Sequence, residues 1–126
     1  MADLAQPLLA AALNHAQLDQ LKQLEAFRPG VRAQLVGLFE RNAQGHVDEL
    51  RRAAATGDIE AARRSAHSLK GASASIGAAG LSSLLAKIEL DLQGVEASTG
   101  ALAQIEPLAR AVMDSLTALY RWLEEP

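Results

Sequence analysis

Apolar residues recur along this chain at spacings of three and four, the period of a helix with one buried face. Ile59, Ala62, Ala66, Leu69, Ser73 and Ile76 step in this way and predict a helix from Asp58 to about Ile76. Leu81, Leu84, Leu85, Ile88, Leu92 and Val95 form a broader stripe over a helix from about 79 to 94. Upstream, Val31, Leu35, Leu38, Phe39, Val47, Leu50 and Ala54 hold the period to about Ala55. Gly37 and Gly45 weaken that stretch, but no proline or turn cluster divides it, so it reads as one long helix. Leu18, Leu21 and Leu24 or Glu25 mark a helix over 15–26, and Leu102, Ile105, Leu108, Ala109, Val112, Leu116, Leu119 and Leu123 mark the last one.

The breaks between stripes carry terminal signals. Asn14 can cap the first helix, and Pro29 suits the first turn of the long one. In Thr56-Gly57-Asp58, Gly57 fits a left-handed terminator and Asp58 an N-cap, its charge matched to the helix dipole. Gly77-Ala78-Ala79-Gly80 lacks the preceding strand and the lysine of a phosphate-cradling loop, so it is expected to be a tight helix–helix connection. Ser98-Thr99-Gly100 reads as a loop and a new start. Pro107 then implies either a regular helix beginning near Glu106, with proline in its first turn, or a kink; a broken or late start is preferred. Trp122 and Tyr120 are expected to close the bundle end by packing. The expected fold is all-α: an up-down antiparallel four-helix bundle with a short extra N-terminal helix. Residues 1–13, apolar and interrupted by Pro7, form an N-terminal arm or short helix, and residues 14–126 form the bundle domain.

Composition narrows the function. A chain of 126 residues makes one domain with a real core. It has no cysteine, which removes disulfides and thiolate metal sites. Its net charge of −3 argues against general nucleic-acid binding. No apolar run approaches the roughly 20 residues of a bilayer span. No basic region precedes the Leu8–Leu13 run as in a secretory signal, so a cytoplasmic location is the expectation. The three histidines lack ligand spacing, so no metal is expected. His15, at a helix start, reads as structural, and His46 as partly buried.

His67 lies off the core stripe. At about 100° per residue, Arg63, Arg64, Lys70 and Gly71 fall within about 60° of its direction, and Glu60 and Ala74 closer still. A lone histidine of this kind is ordinarily a solvated surface residue. Here it has a cationic surround, small neighbours and an interior glycine, and a helical glycine costs about 1 kcal/mol relative to alanine. Gly71 would leave bare backbone where another protein could approach. A hairpin mirrored about residue 78 sets Glu89 opposite His67. There its carboxylate could accept from Nδ1–H and leave Nε2 free, or it could pair with Lys70 or solvent.

His67-Ser68-Leu69-Lys70-Gly71, followed by Ala72-Ser73-Ala74-Ser75-Ile76-Gly77-Ala78, resembles the signature of histidine-containing phosphotransfer (HPt) domains, H-x-L-K-G-S-x-x-x-hydrophobic-G-A. The likeness runs on through Leu81, Leu84, Ile88 and Glu89, and more weakly back through Ala55–Asp58 to Leu35, Leu38 and Phe39. It covers roughly residues 14 to 123. Ala72 departs from the usual serine, losing a hydroxyl but not the histidine. The resemblance implies that His67 accepts a phosphoryl group from the aspartyl phosphate of a receiver domain and passes it to another receiver's aspartate. It implies that Lys70, helped by Arg64 or Arg63, steadies the phosphoryl oxygens. Gly71, Ala74 and Ala78 would allow docking. The partners would be receiver domains of response regulators and of a hybrid sensor histidine kinase, met by a monomer. No cofactor is implied for this chain, the Mg²⁺ belonging to the receiver.

Two other roles compete. A phosphate-free adaptor would dock a partner through the same face, but would have no need of the imidazole. A substrate domain of a chemotaxis-type kinase would be phosphorylated directly by a kinase core with ATP. The sequence holds no ATP-binding motif and no Ser-His-Asp set, so autonomous kinase or hydrolase activity is not expected.

Overall fold

A computed structural model of the chain describes residues 11–94 and 97–126, with 97–99 as backbone only. The expected arm over residues 1–13 therefore lies mostly outside the described residues, as does Val95. The described part is all-helical: α1 (His15–Leu24), α2 (Val31–Thr56), α3 (Ile59–Ser75), α4 (Ala79–Asp91), α5 (Ala97–Leu102) and α6 (Ile105–Leu123). No helix among the described residues is long and apolar enough to cross a membrane.

Local chemistry sets most of the boundaries. Asn14 accepts from Gln17 N at 3.2 Å and starts α1. Gly57 ends α2 at φ +71°, and Asp58 accepts from Ala61 N at 3.1 Å to start α3. Pro29 lies outside α2, before the cap residue Gly30. The orphan donors there are met by a side chain from the preceding turn. Glu25 accepts from Gly30 N at 2.7 Å and from Arg32 N at 3.2 Å. Ser98-Thr99-Gly100 is not a loop but part of the short α5, so the last apolar stripe is broken between Leu102 and Ile105. Pro107 then sits in the first turn of α6, where its missing N–H costs nothing.

Hydrogen bonds between side chains give the pairing of the long helices. Ser65 of α3 bonds Glu49 of α2, on either side of the Gly57 turn. Arg51 and Glu40 of α2 bond Glu106 and Tyr120 of α6, so these two helices run antiparallel. Lys70 and His67 of α3 meet Ser82 and Glu89 of α4, again in opposite order. Leu50, Leu69, Leu81, Leu85, Ile88, Leu108 and Leu119 fill the space between them.

The buried stripe of α2 differs from the expected one. Val36, Phe39, Ala43, Val47, Leu50 and Ala53 face inward, while Leu38 is 48% exposed and Ala54 half-buried. Small Ala43 and Ala53 belong to the core face because α2 lies against both α3 and α6. At the bundle end Trp122 is buried, with the Arg32 guanidinium 5.1 Å from its ring centre. Tyr120 stays partly exposed and bonds Glu40 instead of packing.

The α3–α4 turn is held from outside. Asn14 N donates to Gly77 O at 2.8 Å, and Gly80 N to Ala12 O at 2.9 Å. Gly77 has φ +83°, and a Cβ there would come within 3.0 Å of Leu18 Cδ2. The glycine thus serves both the backbone conformation and the seating of α1.

Candidate functional site

Helix α3 buries Ala62, Ser65, Ala66, Leu69 and Ser73. One turn of that register leaves His67 on the outer side, with 67% of its side chain exposed. Its Nδ1 is 2.8 Å from Oε1 of Glu89 on α4. The other carboxylate oxygen, Oε2, accepts from Lys70 Nζ at 2.6 Å. Both alternatives raised for Glu89 are therefore realised at once, one on each oxygen. Glu89 is 12% exposed and Lys70 31%, so the pair sits at the floor of the site while the imidazole stands above it.

The electrostatics fix the tautomer. The hydrogen bond from Lys70 foremost holds the Glu89 carboxyl below its ordinary range, against the opposing effect of burial, and the contact with His67 adds to the lowering. An ionised carboxylate only accepts hydrogen bonds, so the imidazole presents N–H at Nδ1. In the neutral ring this leaves the lone pair on Nε2.

The remaining site residues fall in four places. Gly71 and Ala74 are exposed on the same helix, and a Cβ on Gly71 would meet nothing within 4 Å. Ala78 does not join them. It is fully buried at the cap of α4, its N–H bonded to Ser73 O at 2.8 Å, because the tight turn folds it beneath the two helices. Arg63 is tied to Glu60 of its own helix, with Nε 3.2 Å from Oε2, while its charge still feels Glu89. Arg64 lies elsewhere, lining a groove of about 400 Å³ between α2 and α3 together with His46, Glu49, Arg52, Asp58 and Ser68.

That groove was not anticipated. Ser65 Oγ donates to Glu49 Oε2 at 2.6 Å, and this bond foremost holds the Glu49 carboxyl below its ordinary value. The mirror argument that pairs 67 with 89 about residue 78 also pairs 49 with 65 about Gly57, so the signal was present. Among the described residues no group of three His, Cys, Asp or Glu side chains could hold a metal ion.

The family model for the Hpt domain matches residues 34–122, about 70% of the chain. Neither the curated proteins nor the solved structures contain a match. Hpt domains have phosphotransfer-type roles in two-component signalling and interact with receiver domains.

Proposed function

The chain belongs to the Hpt domain family, and on that premise we propose that it is a phosphorelay intermediate with His67 as the phosphoacceptor. The antiparallel pairings of α2, α3, α4 and α6 support reading the long helices as an up-down bundle that holds this residue outward. In the proposed step the Nε2 lone pair attacks the phosphorus of a receiver's aspartyl phosphate. An N–P bond forms, the acyl P–O bond breaks, and the aspartate leaves as carboxylate. The phosphorylated ring keeps its Nδ1 proton and gains positive charge, which Glu89 Oε1 offsets. Transfer to the aspartate of a second receiver runs the same step in reverse.

Phosphoryl transfer depends mainly on positioning and charge stabilisation. Glu89 acts as a positioning residue through the imidazole. Lys70 stands one turn away, where exchange of its Glu89 contact for a phosphoryl oxygen would steady the incoming group. Gly71 and Ala74 provide the low ground on which a receiver can approach. The protein works as a cytoplasmic monomer in this reading, and the Mg²⁺ stays with the receiver.

The observation that carries the proposal is the Nδ1–Glu89 bond beneath an exposed ring, because it turns the nucleophilic nitrogen toward a partner. Incubation with a radiolabelled phospho-receiver tests it. Acid-labile label should appear on the wild-type chain and on His15→Gln and His46→Gln, but not on His67→Gln. A chain that binds receivers yet never takes label would be an adaptor.

A further inference from the structure

The ridge of α3 borders two surfaces. On one side His67 and Lys70 meet Glu89, and on the other Arg64 and Ser68 enter the open α2–α3 groove. Each of the groove's two acids accepts one hydrogen bond from α3. Glu49 accepts from Ser65 Oγ at 2.6 Å, and Asp58 accepts from Ala61 N at 3.1 Å. The side chains of its two arginines form no hydrogen bond or close ion pair among the described residues and act on Glu49 only through their charge, whereas Arg32, Arg51 and Arg63 are each tied to a carboxylate. Nδ1 of His46 is shut from water and lies 3.9 Å from Glu49 Oε2, beyond hydrogen-bond reach. The two guanidiniums therefore keep their side-chain N–H donors unbonded there, and a guanidinium presents its donors in a fork matched to a carboxylate.

We propose that this groove takes an acidic side chain from the surface of the receiver that docks on His67, and that Arg52 and Arg64 determine which receivers are accepted. The inference rests on the phosphorelay reading. Continuity with the His67 face and the unbonded guanidinium donors both favour a receiver side chain as occupant. Position selects recognition over chemistry. Mirrored about Gly57, Arg52 is level with Ala62, five residues along the axis from His67. With a rise of about 1.5 Å per residue and a helix spacing of about 9 Å, the helix axis at Arg52 stands roughly 12 Å from the axis at His67. The Arg52 side chain lines the groove and is not part of the His67–Glu89–Lys70 cluster, and the separation lies inside an interface of about 800 Å² per partner. Arg64, which lines the same groove, is assigned to docking with it.

The test uses the full chain and a panel of receiver domains phosphorylated with acetyl phosphate, taking the one that labels wild type fastest. Arg52→Glu and Arg64→Glu should each raise the KM for that receiver about three- to tenfold at low salt, with the maximal transfer rate unchanged and the salt dependence reduced. Arg110→Glu, on the exposed side of α6, should stay within twofold. Changing one acidic surface residue of the receiver to lysine should restore the KM of Arg52→Glu. A KM within twofold of wild type in both variants overturns the proposal. So does a lower maximal rate at unchanged KM. Chemical-shift changes in the groove on adding inorganic phosphate alone, with receiver kinetics unaffected by the substitutions, would make it a free-anion site and also overturn it. If wild type takes no label from any receiver, the phosphorelay reading itself fails, a result distinct from these.

Discussion

Glu89 divides its carboxylate between two residues of α3, holding His67 Nδ1 at 2.8 Å and Lys70 Nζ at 2.6 Å. One acid from the neighbouring helix thus sets the ring orientation and parks the nearest cation. Glu89→Gln keeps the shape but can offer its NH2 group to Nδ1 as readily as its oxygen. ¹⁵N spectra of His67 should then show a mixed tautomer population in place of Nδ1–H. Phosphoryl acceptance should slow by about tenfold, equivalent to roughly 1.4 kcal/mol of barrier. An unchanged tautomer and rate would remove Glu89 from its positioning role.

The same carboxylate carries a pH signature. Its folded pKa lies below the ordinary value of 4.5 because Lys70 and His67 favour the charged form. A depressed carboxyl stabilises the fold above its unfolded pKa and loses that contribution as pH falls through the folded pKa. Urea unfolding should show wild type ahead of Glu89→Gln at pH 7, with the gap closing below about 4.5. A gap that persists unchanged in acid would contradict this.

Lys70→Ala should slow phosphoryl transfer while leaving helicity intact. The residue is only partly buried, and partly exposed ion pairs contribute under about 1 kcal/mol. Circular dichroism and denaturant midpoints check the fold, and label transfer checks the chemistry. A large loss of helicity would show that Lys70 is structural.

Gly71→Gln separates docking from stability. A side chain there meets no neighbour within 4 Å, and removing a helical glycine gains about 0.5–1 kcal/mol. Thermal stability should hold or rise while receiver-dependent labelling falls. Normal labelling would refute a docking role for this position.

Gly77→Ala should act in the opposite way. The left-handed backbone and the approach to Leu18 both oppose a Cβ, so a loss of about 1–2 kcal/mol is expected. Phosphoryl acceptance by the folded fraction should persist, since Gly77 lies ten residues beyond His67. Stability within a few tenths of a kcal/mol of wild type would show that the turn adapts.

Much of this arrangement is local enough to read along the chain. The caps Asn14 and Asp58 and the terminator Gly57 act within a few residues of themselves. The outward direction of His67 follows from its angle to the Ala62–Ala66–Leu69 stripe. Position 89 could be set opposite 67 because a tight turn leaves two antiparallel helices little choice of register. Alanine misled the reading of α2, since Ala43 and Ala53 have no hydropathy contrast and count as core only when α3 and α6 press against them.

The order of residues alone determined the long helices, the ends marked by Asn14, Gly57 and Asp58, and the outward direction of His67, because hydrogen bonding within a helix and its 3.6-residue period are short-range. Packing decided the rest. It buried Ala78 under its own turn, engaged Arg63 with Glu60, sent Arg64 to the groove beside α2, and gave Glu89 two partners at once. Each of these depends on which neighbouring helix lies within a few ångströms, and that distance exists only once the helices have closed on one another.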